Sequence, residues 1–234
     1  MQKVLVVKNI AREGPGLFQE ILSERGLGYE IRDLDAGDKF PDPAGYSAVA
    51  VFGGPDSAND DTDKMKTELA RIKETVQSGI PYIGVCLGMQ TLVKSQGGEV
   101  YRNPVREIGW RDPEGNYFEV CAVNKDPIFQ DMNTKYKIFH LHGETVKLPS
   151  SMELLGRGKW CENQVVRVKG KPAYGIQGHL ELTPQMLEDW IAQDPDLVAM
   201  DTAKLRKDYS GVKKEYEKAG RQMLTNFLSI ARLI

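Results

Sequence analysis

A three-layer α/β fold is predicted: a mainly parallel central sheet, helices on both faces and a small antiparallel extension. Two features point to it. Short runs apolar on both faces alternate with amphipathic helical segments in the first hundred residues, the pattern of strands covered on each side. Glycine-rich turns close several of those runs, where chain reversals need small residues. After Val100 the texture shifts to shorter strands and a hairpin, which supplies the extension.

The elements follow in order. Val4-Leu-Val-Val7 is a strand, and Gly14-Pro-Gly16 leads into a helix with Leu17, Ile21 and Leu22 on one face up to Gly26. Tyr29–Leu34 and Ser47–Phe52 are the next strands, the latter ending at Gly53-Gly54-Pro55. Asp60-Asp-Thr-Asp63 supplies capping acids for a helix that places Met65, Leu69, Ile72 and Val76 together until Gly79. Tyr82–Val85 is a strand that turns at Cys86 into a helix through Leu92 and Val93 to Gly97-Gly98. Later strands are expected at Tyr117–Val123, Lys135–His142, Met152–Leu155, Gln164–Val168 and Ala173–Ile176, the last two forming a hairpin around Lys169-Gly-Lys171. A helical tail begins near residue 183, with Thr183 as cap and Pro184 at the first helical position. Leu224, Phe227, Leu228 and Ala231 form its apolar stripe, so residues 1–234 are expected to make one domain.

Composition narrows the function. The net charge is -2 with both signs interspersed, which argues against a nucleic-acid footprint. The apolar run at the start is too brief for an export signal, and none approaches membrane-spanning length. Three cysteines, Cys86, Cys121 and Cys161, show no paired spacing. A cytoplasmic protein with reduced thiols is expected.

The chemistry centres on Gly84-Val-Cys86-Leu-Gly88. This has the G-x-nucleophile-x-G form of a strand-to-helix elbow. A thiol at a helix N-terminus is biased toward thiolate, the attacking form. The N–H of Leu87 and one from the Gly53-Gly54 turn would face a developing oxyanion. Alone, the motif suits a buried structural cysteine equally well; the strand before it, the helix after it and the neighbouring Gly-Gly-Pro turn favour the nucleophile.

A base must come from three histidines. His179 is followed by Glu181, and alternate residues of an extended segment share a face, so Glu181 could orient the imidazole. His140 and His142 also alternate, but no further ligand cluster is evident and no metal is expected. His140 reads as structural, His142 as a pocket residue beside Gly143, and Cys121 and Cys161 as packing residues.

With these residues placed, the chain resembles the class I (triad) glutamine amidotransferases, in particular stand-alone proteins similar to the glutaminase domain of GMP synthase. The resemblance rests on Gly14-Pro-Gly16, Phe52-Gly-Gly-Pro55, Gly84-Val-Cys-Leu-Gly-Met-Gln90, Glu107-Ile-Gly-Trp110, His140-Leu-His-Gly-Glu144, Asn163-Gln164 and His179-Leu-Glu181. It implies a flavodoxin-like fold and a triad of Cys86 as nucleophile, His179 as base and Glu181 as orienting acid. It further implies oxyanion donors at Gly54 and Leu87, and glutamine held by Gly53, Gln90, His142 and Gly143. The implied reaction forms a Cys86 thioester and releases glutamate and ammonia without a cofactor. The ammonia would go to a separate synthase subunit, since the chain carries no phosphate-binding loop of the G-x-x-x-x-G-K-[ST] type.

Two rival readings follow. One is a hydrolase of γ-glutamyl amides or peptides with the same triad. The other is a non-catalytic or redox-sensing flavodoxin-like protein; some such proteins carry an acid at the end of the first strand, where this chain has Asn9. The family usually has His-Pro-Glu after an aromatic residue, whereas here Leu180 and Gly178 stand at those positions. Both changes are expected to loosen the imidazole's direction.

Overall fold

The structure, a computed structural model, describes residues 3–234. In chain order its elements are β1 (Val4–Lys8), α1 (Leu17–Glu24), β2 (Tyr29–Asp33), β3 (Ala48–Val51), α2 (Asp63–Gln77), β4 (Tyr82–Val85) and α3 (Leu87–Ser95). Then come β5 (Glu99–Gly109), β6 (Glu119–Ala122), β7 (Lys135–Lys137), β8 (His140–Lys147), β9 (Met152–Arg157), β10 (Asn163–Val168) and β11 (Ala173–Ile176). Three helices follow: α4 (Pro184–Gln193), α5 (Pro195–Val198) and α6 (Thr202–Ile230).

A nine-stranded sheet runs β2-β1-β3-β4-β11-β10-β9-β6-β7. From β2 to β11 the pairs are parallel, and from β11 to β7 they are antiparallel. Alternation along the parallel strands explains why their sequences are apolar throughout. Val4, Val6, Ala48, Ala50, Ile83 and Val85 join the core on one face, while Leu5, Val7, Val49, Val51 and Tyr82 join that on the other. The expected cap at α4 holds, Thr183 accepting from the Met186 N–H, whereas at α2 the cap is not an acid but the Thr62 hydroxyl, which accepts from the Met65 N–H, with Asp63 in the first turn. No helix among the described residues is long and apolar enough to cross a membrane.

Two readings of the second half need correction. β5 was not expected; its mixed charges and Pro104 conceal an eleven-residue strand whose pairing with β8 is irregular between Arg102 and Glu107. The single strand expected at Lys135–His142 is two, because β7 pairs with β6 in the large sheet and β8 with β5 in a separate two-stranded sheet. Between them Phe139 crosses to bridge His179. The tail is dominated by α6, a 29-residue helix.

α2 also carries a buried acid. Glu68 is fully buried and takes a hydrogen bond from Asn9 Nδ2 at 3.2 Å, while its Oε2 has no partner among the described residues. Burial raises its pKa from 4.5 to about 7. The folded chain therefore holds a proton that the unfolded chain releases, and stability falls as pH rises across that window. Glu68→Gln is expected to add on the order of 3 kcal/mol near pH 8 and little near pH 4. Denaturant unfolding at both pH values checks this; an equal change at both contradicts it.

Candidate active site

The carboxyl ends of β3, β4 and β11 lie side by side, the usual location for a site in an open α/β sheet. β4 is between the other two, with Gly84 paired to Val51 of β3 and Val85 paired to Ile176 of β11. One residue beyond that register, the Cys86 N–H donates to the Ile176 carbonyl at 2.8 Å. Cys86 and the Gln177–Glu181 segment therefore leave adjacent strands at the same level. This register brings together residues more than ninety positions apart.

Cys86 is the N-cap of α3, with φ 54° and ψ -109°. A non-glycine residue there is strained by roughly 1–3 kcal/mol. The two flanking glycines make the turn possible. A Cβ on Gly84 would lie 2.2 Å from the Gly88 carbonyl oxygen, and one on Gly88 would lie 2.2 Å from that of Val51. Leu87 is the first residue of α3, so its N–H has no earlier helical turn to accept it.

His179 is buried, and its Nδ1 is 2.8 Å from Glu181 Oε1. Its Nε2 has no hydrogen-bond partner of ordinary geometry among the described residues. Burial opposes its charging, but the Glu181 carboxylate and then Cys86 more than offset this, holding the imidazole pKa well above its ordinary value. The expected loosening at residues 178 and 180 is not seen. The His179 N–H donates to the Phe139 carbonyl at 2.8 Å, the Tyr216 hydroxyl donates to the His179 carbonyl at 3.0 Å, and the ring meets Trp190 edge-on at 4.8 Å. A Cβ on Gly178 would lie 2.7 Å from both Ile138 Cδ1 and His140 Cε1, leaving no room for an aromatic side chain. Neighbours thus supply the rigidity that proline would have given. On the other side, the Leu17 N–H at the start of α1 donates to the Glu181 carbonyl at 2.8 Å.

In front of Cys86 is a cavity of about 390 Å³, within the ~300–1,000 Å³ range of small-molecule sites. Cys86, Gly54, Gln90, His142 and Gly143 line it. Leu87, His179 and Glu181 are fully buried. Gly53 packs against Glu13 and His179.

A hydrogen-bond chain missed in the sequence runs along this wall. Gln177 Nε2 faces Cys86 Sγ at 3.9 Å, and Gln177 Oε1 accepts from Gln90 Nε2 at 3.3 Å. Gln90 Nε2 also reaches the Glu144 carbonyl at 3.3 Å, which lies 2.9 Å from His142 Nδ1. His142 Nε2 in turn is 2.8 Å from Glu107 Oε2. Glu107 and His142 are cross-strand partners in β5 and β8. Because β5 was not legible, neither was this pair.

Cys161, expected to be a packing residue, joins this group: one atom each from Glu107, His142 and Cys161 lie within 4.8 Å of one another. Their bonds are spent internally, since Glu107 also accepts from Gln164 Nε2 at 2.9 Å and Cys161 Sγ is 3.1 Å from Thr145 Oγ1. Burial pushes the Cys161 thiol up to about 12. His140 is buried with Nδ1 unpartnered, and burial lowers its pKa to about 3.

Comparison with known proteins agrees with this geometry. The family model for glutamine amidotransferase class-I matches residues 17–194. GMP synthase [glutamine-hydrolyzing] of Thermosipho melanesiensis is 26% identical over 197 residues, covering 82% of this chain and 36% of that protein. The protein of the same name from Vibrio vulnificus is 27% identical over 182 residues, covering 75% and 31%. The chain thus spans about a third of the length of these curated relatives. Among solved structures, a glutamine amidotransferase from Thermotoga maritima superposes with a TM-score of 0.87 at 26% identity, covering 97% of this chain and 98% of that one. A glutamine amido transferase from Methylobacillus flagellatus gives 0.86 at 25% identity, covering 98% and 95%. The expected flavodoxin-like fold therefore holds, and the chain belongs to the class I glutamine amidotransferases, enzymes with a cysteine nucleophile.

Proposed function

We propose that this enzyme hydrolyses the side-chain amide of glutamine through a thioester on Cys86, with His179 as proton carrier and Glu181 as its orienting acid. The observation that carries the reading is the convergence of an elbow cysteine and a buried His–Glu pair at the ends of adjacent strands β4 and β11.

The Cys86 thiolate attacks the amide carbon, and the N–H groups of Gly54 and Leu87 stabilise the oxyanion. His179 gives its proton to the nitrogen, the C–N bond breaks, ammonia leaves and a γ-glutamyl thioester remains. His179 then takes a proton from water as its oxygen attacks the thioester carbon. The adduct collapses and expels the thiolate, the new carboxyl group loses its proton to solvent, and glutamate departs with the thiolate and imidazolium restored. Every proton is accounted for, so the half-reaction needs no cofactor. Gln90, His142 and Gly143 hold the amino-acid end, while Gly53 bounds the reacting end beside the His179 ring. Residues 1–234 work as one domain in this reading: α6 supports the segment bearing His179 through Tyr216. The ammonia acceptor is a separate synthase subunit.

A cavity of about 390 Å³ edged by Arg106, Asp56 and Asp196 also favours a second reading, a larger γ-glutamyl amide as substrate. Against a redox sensor, position 9 holds Asn9, whose amide is engaged with Phe52 and Glu68. Glutamate release from glutamine and from a panel of γ-glutamyl amides decides between the substrates. Glutamine is expected to have the highest kcat/KM. A bulky amine preferred by tenfold or more would reject the glutaminase assignment.

A further inference from the structure

Carboxylates crowd the cavity, and most have protein partners. Asp56 pairs with Lys64 at 2.7 Å, Glu144 accepts from Ser57 Oγ at 2.9 and 3.1 Å, Asp194 pairs with Arg12 at 2.7 Å, and Asp196 pairs with Arg106. Glu13 differs. It lines the same cavity and is only 5% exposed, yet its Oε2 has no hydrogen-bond partner among the described residues. A buried oxygen without a donor costs roughly 1–3 kcal/mol, so folding alone gives no reason for it.

Its position supplies a reason. A Cβ on Gly53 would lie 2.1 Å from Glu13 Oε2 and 3.2 Å from His179 Cε1. The absent side chain of Gly53 therefore leaves a small space shared by the carboxyl oxygen and the imidazole edge. On that ring Glu181 occupies Nδ1, and Nε2 remains for the reaction. Glu13 also lies outside the stretch matched by the family model, residues 17–194.

We propose that Glu13 accepts a hydrogen bond from the nitrogen of the departing amine as His179 protonates it. The inference rests on the glutaminase reading and adds a residue to it. When the C–N bond weakens, the nitrogen gains a proton from His179 and with it a partial positive charge and an extra N–H. The transferred proton points back at His179, so the unpartnered oxygen beside the same imidazole accepts one of the nitrogen's own N–H groups, which an ester oxygen lacks, and the interaction strengthens as the charge develops. The α-ammonium group of the substrate is a poorer match, because it lies at the far end of the molecule from the reacting amide.

The test compares leaving groups. Wild type, Glu13→Gln and Glu13→Ala are assayed with glutamine and with the γ-methyl ester of glutamate, which forms the same thioester but expels an alcohol. Glu13→Ala is expected to lower kcat/KM for glutamine by about 10- to 100-fold, the worth of one hydrogen bond to a charged group, and ester hydrolysis by less than about threefold. Glu13→Gln, which keeps the shape but not the charge, is expected to fall between. Unfolding midpoints should be unchanged or raised, since an unsatisfied buried group has been removed. Equal losses on amide and ester would overturn the proposal and point to support of the fold or recognition of the α-ammonium group. A wild type inactive on both substrates would instead overturn the glutaminase reading, and this inference with it.

Discussion

Replacing Cys86 with alanine is expected to lower glutamine hydrolysis by about 10⁴-fold or more, with the fold intact. The magnitude follows from what is lost: without the sulfur there is no thioester, and only binding and oxyanion stabilisation remain. The fold should persist because the elbow glycines, the β3–β4–β11 pairing and the α3 backbone bonds do not involve the sulfur. Stability should fall slightly if anything, since alanine at φ 54° bears the same backbone strain while the packing of the buried sulfur is lost. Steady-state ammonia release with circular dichroism as a folding control checks this. Activity within about tenfold of wild type would show that another group carries the reaction.

Glu181→Gln is the second large effect. The substitution keeps the size of the group 2.8 Å from His179 Nδ1 but removes its charge. Two consequences follow from the elevated imidazole pKa. The first is rate: kcat/KM should fall by about 10²- to 10⁴-fold, because a neutral amide neither favours the reactive tautomer nor stabilises the imidazolium. The second is direction on the pH axis. In the proposed reaction His179 must be protonated to release ammonia, so activity is expected to decline as pH rises through its pKa. The Glu181 carboxylate holds that pKa up, so removing its charge should shift the alkaline limb to lower pH. Full pH profiles of both proteins give the comparison. An alkaline limb that stays in place would mean that Glu181 supports structure without tuning the imidazole.

The legible parts of this molecule share a physical basis. β1, β3 and β4 are apolar on both faces because both faces are buried, and the cap at Thr183 is a local hydrogen bond. Cys86 was conspicuous because a strand-to-helix turn needs small neighbours, and both glycines fill that need by close backbone approach. His179 and Glu181 were visible as a pair because alternation in an extended segment is also local. What escaped depends on long-range pairing. The strand β5 carries Pro104 and an irregular register, so neither its existence nor the Glu107–His142 pair could be read from periodicity. Gln177 meets Cys86 only through the parallel pairing of β11 with β4. Glu13 was hidden because a carboxyl before a Gly-Pro-Gly turn looks like any solvated loop acid, and only its burial sets it apart. Leu180 and Gly178 misled for the same reason: the contacts that replace the proline come from Trp190 and Tyr216, on α4 and α6.

The measurement closest to the central claim is intact-mass analysis after incubation with an electrophile that mimics glutamine, followed by mapping of the modified peptide. One equivalent is expected on Cys86, with Cys121 and Cys161 untouched, glutamine protecting, and hydrolysis lost in step with labelling. An unlabelled Cys86, or equal labelling of all three thiols, would contradict the assignment of this sulfur as the group that attacks the amide.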